Sequence, residues 1–94
     1  MALTTDTTGN PIKVTGTASS DETITDVLAF VKWIYWYKPT TAGHLINITD
    51  KHGNTIVPGY CETDNESQWL PIYSTCDGIH CDNMDSGALY IYIK

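Results

Sequence analysis

The stretch CDGIHCDNMDSG, residues 76–87, packs two cysteines, one histidine and three aspartates into twelve positions. Three chemistries compete for those residues. Zinc would need four donors in a tetrahedron. Cys76 and Cys81 with His80 and the more distant Cys61 supply the right atom types. In an extended chain, however, the adjacent His80 and Cys81 point to opposite faces, and no second closely spaced cysteine pair exists. Calcium would use Asp77, Asp82, Asn83 and Asp85. Their spacing does not match the fixed ligand offsets of an EF-hand loop, and Asp, Asn, Ser and Gly also build ordinary turns. A thiol nucleophile would need a base within hydrogen-bond reach. His44, His52 and His80 are the available bases, and nothing in the sequence fixes the distance of any imidazole from a cysteine sulfur. The expectation is therefore no metal, no cofactor and no catalytic residue. The stretch reads as a polar connection to the last strand, its cysteines packing as small hydrophobes.

The elements that would hold these residues read as strands. Ile12-Lys13-Val14-Thr15 and Leu45-Ile46-Asn47-Ile48-Thr49 alternate apolar with polar, with Ile46 and Ile48 inward. Asp50-Lys51-His52-Gly53-Asn54 is a hairpin loop with Gly53 at the left-handed position, and Thr55-Ile56-Val57 is the returning partner, broken by Pro58-Gly59. Trp69–Thr75 and Ala88–Lys94 are two further strands. Residues 21–30 show partial helical spacing, but the β-forming run that follows favours strand from about Ala29. In VKWIYWYK the two faces separate: Val31, Trp33, Tyr35 and Tyr37 on one, Lys32, Ile34, Trp36 and Lys38 on the other. Two lysines on the second face place it toward water. Ile34 and Trp36 then form an outward contact patch with Lys32, extended by Tyr90 and Tyr92 if the strands pair.

Short strands with turn signals about every ten residues predict an all-β domain, a small antiparallel β-sandwich or jelly-roll-like barrel. Residues 1–11 read as a flexible N-terminal arm and 12–94 as one β domain. The 94 residues suffice for one modest core, with a radius of gyration of roughly 12 Å. With 41% hydrophobic and 17% charged residues the chain is globular in composition. Its net charge is -6 and it contains no arginine, which argues against direct binding to DNA or RNA. No apolar run is long enough for a membrane span, and MALTTDTTGNPIK lacks the regions of a signal peptide. Synthesis in a cytoplasm is the expectation. The three tryptophans and six tyrosines fit either core and protein contacts or a sugar-binding platform.

Three segments, KWIYWYKPTTAGHLINITD, DKHGN and MDSGALYIYIK, together resemble a family of short proteins encoded beside head genes in tailed bacteriophages and prophages. The resemblance spans roughly residues 29–94. It implies a small all-β virion component without catalytic residues, most specifically a capsid decoration or cement protein. Such a protein would be made in the host bacterial cytoplasm and would bridge subunits of the major capsid protein or bind other virion proteins, with a homo-oligomer expected and a trimer one form it could take. The alternative is a glycan- or host-surface-binding module of a fibre or tail.

Overall fold

The computed structural model describes residues 3–94, and among them every regular element is a strand: β1 (Leu3–Asp6), β2 (Ile12–Gly16), β3 (Glu22–Tyr37), β4 (Leu45–Thr49), β5 (Thr55–Tyr60), β6 (Gln68–Met84) and β7 (Ala88–Ile93). The all-β expectation is met. The seven strands form one continuous antiparallel sheet in the order β1-β2-β7-β3-β6-β4-β5. Two strands are unusually long, β3 with 16 residues and β6 with 17. Each serves two halves of the sheet. The second half of β3 lies between β7 and the start of β6, and the second half of β6 lies between β3 and β4.

The sheet curls rather than lying flat. Strand β5 comes back over β3, where Gly59 leaves no room for a side chain: a Cβ there would meet Ile46 Cγ2 and lie 3.8 Å from Trp36 Cε3. A bridge from Ala18 to Met84 ties the segment after β2 to the far end of β6. The enclosed core includes Ile12, Val14, Val31, Ile34, Trp36, Ile46, Ile48, Ile79, Met84, Leu89 and Ile91. The radius of gyration is 11.8 Å.

Several expectations need correction. Residues 3–6 of the expected arm pair with β2 as an edge strand, and Asn10 holds both backbone polar groups of Ile93. Strand β3 begins at Glu22, well before Ala29, and β5 runs through Pro58-Gly59 to Tyr60. Pro58 is tolerated because β5 is an edge and its amide faces no partner. Most of CDGIHCDNMDSG is no loop: residues through Met84 complete β6.

The largest correction concerns the two faces of β3. Ile34 and Trp36 are fully buried, whereas Trp33, Tyr35 and Tyr37 face out. Val31 is nevertheless inward, as expected. Between Val31 and Trp33 the register slips: two steps on β3 match one on β7, from Ile93 to Tyr92. One extra residue, Lys32, reverses the facing of every side chain after it. Ile34 and Trp36 therefore cannot belong to an exposed contact patch.

Trp36→Ala is expected to cost about 3–5 kcal/mol, because it empties a large buried site. Trp69→Ala on the opposite face should cost only about 0.5–1.5 kcal/mol, the worth of aromatic packing. Urea unfolding of both variants checks this. The reverse order would mean that β3 presents its other face to the core.

Candidate functional site

Residues from two of the three resembling segments, KWIYWYKPTTAGHLINITD and MDSGALYIYIK, converge at one end of the sheet. Trp36 Nε1 donates to the Ser86 carbonyl at 2.9 Å. Ser86 Oγ accepts from Thr40 N at 2.9 Å and lies 2.7 Å from His44 Nδ1. Asp85 Oδ2 accepts from Leu45 N at 2.8 Å, and Asp85 N donates to Leu45 O. Gly87 has φ 85°, and a Cβ there would lie 2.8 Å from Tyr37 O and 2.9 Å from Trp36 Nε1. Tryptophan, the Thr-Thr-Ala-Gly-His turn and Asp-Ser-Gly thus lock into one polar knot. The DKHGN turn is equally structural: Asp50 Oδ1 accepts from the backbone of His52 and Asn54, both at 2.9 Å, and Gly53 has φ 85°. These residues build the fold, and their hydrogen-bonding capacity is spent within it.

The cysteine–histidine cluster does not assemble a site. All three cysteines are free and buried. Among the described residues no group of three or more His, Cys, Asp or Glu side chains could hold a metal ion. Burial, reinforced by the nearby Glu22 carboxylate, pushes the Cys81 thiol up to about 12. Burial and Asp50 also raise Cys76. An activated thiol nucleophile requires the opposite shift. His80, adjacent in sequence to Cys81, instead contacts Asp21 and Asp26.

What remains unaccounted for is the outer face of β7, β3 and the first half of β6. The register sets Trp33 beside Tyr92, Tyr35 beside Tyr90 and Tyr35 beside Trp69. Tyr35 and Trp69 stack at 4.3 Å between ring centroids, and Trp33 meets Tyr92 at 5.5 Å and Tyr73 at 5.9 Å. Tyr37 joins through Tyr90 at 6.2 Å. Seven rings therefore form one contiguous surface. Trp69 and Tyr73 are 58% and 59% exposed, well beyond what a buried cluster leaves to water. The buried Nε1 of Trp33 has no hydrogen-bond partner.

Charge is sorted around this face. Lys13 stands over Tyr90 at 5.9 Å, Lys32 over Trp33 at 5.3 Å and Lys38 over Tyr37 at 5.6 Å. None of the three forms an ion pair among the described residues, although the chain has 11 carboxylates. Asp6, paired in register with Lys13, is a carboxylate that strand register places on this side. The ring quadrupoles hold the ammonium groups where acidic side chains do not. Of the expected contact residues, Lys32, Tyr90 and Tyr92 do come together here, while Ile34 and Trp36 lie on the reverse side. Trp33, Tyr35, Tyr37, Trp69 and Tyr73 were not among them. Their mass at alternate positions was the available signal.

The thiol environments make a direct prediction. In native protein near pH 8, none of the three cysteines should react rapidly with a disulfide reagent, and all three should react in concentrated urea. A fast native thiol, read as early release of the chromophore, would contradict the burial described. Comparison with protein-family models, curated proteins and solved structures finds no match for this chain.

Proposed function

We propose that this chain is a non-enzymatic structural protein of a phage virion, a capsid decoration or cement protein, that docks through its outer aromatic face. The observation that carries the docking role is the contiguous surface of Trp33, Tyr35, Tyr37, Trp69, Tyr73, Tyr90 and Tyr92 on a stiff sheet. Exposed tryptophan and tyrosine dominate binding energy at protein interfaces, and rings fixed by their neighbours lose little entropy on docking. The virion placement rests on the resemblance of the three sequence segments. In this reading the protein bridges neighbouring subunits of the major capsid protein, many copies acting together, and a homotrimer at a symmetry axis belongs to the same picture. Lys13, Lys32 and Lys38 around the face suit an acidic patch on the coat.

A second reading, a glycan- or host-surface-binding module, is favoured by the exposed rings of Trp69 and Tyr73, whose flat apolar faces suit stacking against a sugar ring.

Phage particles assembled without the protein should open at lower temperature than complete particles. Added wild-type protein should restore them, and a Trp69→Ala/Tyr73→Ala double variant that folds should not, since two lost hot spots cost roughly 2 kcal/mol or more each. Equal opening temperatures with and without the protein would refute the cement role. Binding on a glycan array that Trp69→Ala abolishes would select the second reading.

A further inference from the structure

Strands β3 and β6 lose register between Thr25 and Leu28: three steps on β3 match only two on β6, from Ile79 to Asp77. The surplus bulges outward at Asp26 and Val27, with Val27 N donating to Thr25 Oγ1 at 3.2 Å. The bulge displays two apolar side chains, Val27 at 69% and Leu28 at 62% exposure. Beneath it Gly78 has φ 85°, and a Cβ there would lie 3.2 Å from Thr25 O and 3.4 Å from Asp26 Cα. Glycine is what lets the two backbones approach so closely.

His80 fastens this bulge to β6. The ring is buried, with Nε2 2.7 Å from Asp26 Oδ1 and Nδ1 3.1 Å from Asp21 Oδ1. An ionised carboxylate only accepts hydrogen bonds, and a neutral imidazole has a single N–H. Both contacts are made together only by the imidazolium. The surroundings favour that form. Glu22 pairs in register with Cys81 on β3, and Thr23 and Thr49 flank His80 in register from β3 and β4. Asp50 and Lys51 of the β4–β5 turn and Asp82 of β6 line the same hollow of about 340 Å³. The one cation there, Lys51, is engaged at 3.3 Å by Asp77.

We propose that His80 is a proton-operated latch: the charged ring ties Asp21 and Asp26 to β6 and holds the Val27–Leu28 bulge in the displayed form, and loss of the proton releases one carboxylate and loosens residues 21–28. The hydrogen bond to Asp26, opposed by burial and aided by Asp21, raises the pKa of His80 above its ordinary 6.5. A raised histidine stabilises the fold fully below its unfolded pKa. That contribution is lost as pH climbs through the folded value. The latch therefore holds under mildly acidic conditions and slackens toward alkaline pH. It involves the first half of β3, apart from the aromatic rings on the second half, so it stands or falls independently of the docking role.

The test is a two-dimensional amide and histidine-ring NMR titration of the full chain from about pH 5 to about pH 9. The His80 ring should titrate above 6.5. The amides of Asp21 through Leu28 should shift with the same midpoint. Asp26→Asn should lower that midpoint, and His80→Gln should remove the concerted shift. A midpoint at or below 6.5, amides that ignore the titration, or an unchanged midpoint in Asp26→Asn would each overturn the latch. Should Asp26→Asn fail to fold, the wild-type midpoint and His80→Gln decide the matter alone.

Discussion

The fold depends on the burial of Trp36 together with its hydrogen bond to Ser86 O. A fully buried indole carries a large apolar surface and one donor that must be satisfied. The carbonyl of the β6–β7 turn is the acceptor, which fixes where that turn sits against β3. Ser86 then organises the next shell through its hydroxyl, meeting Thr40 N and His44. Gly87 is required because Tyr37 O and the indole occupy the space a side chain would need. Gly59 admits β5 over the same ring. One side chain therefore sets the spacing of β3, β5 and β7.

Seating Trp36 inward commits its neighbours. Side chains alternate along a strand, so Trp33, Tyr35 and Tyr37 fall on the other surface once Lys32 has taken up the slip in register. Strand β7 obeys the same rule, with Leu89 and Ile91 in and Tyr90 and Tyr92 out. The aromatic face is thus the obligatory reverse of the core. Its rings pack edge to face and stacked, which stiffens them, and its lysines sit over rings instead of pairing with carboxylates. A surface both preorganised and incompletely covered is the physical basis of the proposed docking role.

The other half of the sheet is built on a different logic. There β3 and β6 slip in register twice between Thr23 and Leu28, Gly78 takes its left-handed conformation, and a buried histidine rather than an apolar residue bridges the strands. A charged contact of this kind depends on its proton, whereas the Trp36 indole and the Ser86 carbonyl that accepts from it carry no titratable group. The proposed docking face and the proposed latch are thus separated along the same two long strands.

Much of this could be read from the chain itself. Alternation in LINIT and ALYIYI specified strands and their buried sides, and the DKHGN turn followed from the conformational freedom of Gly53 and the reach of the Asp50 carboxylate. What three-dimensional packing alone decided was the facing of β3 and the continuity of β6. Periodicity gives two sets of side chains but not which set is inside. A single extra residue at Lys32 reverses the answer downstream, and only the contact between Trp36 and a carbonyl 50 residues away selects it. The same holds for His80: its partners Asp21 and Asp26 lie more than fifty positions away, so their meeting is a consequence of strand pairing and not of local sequence.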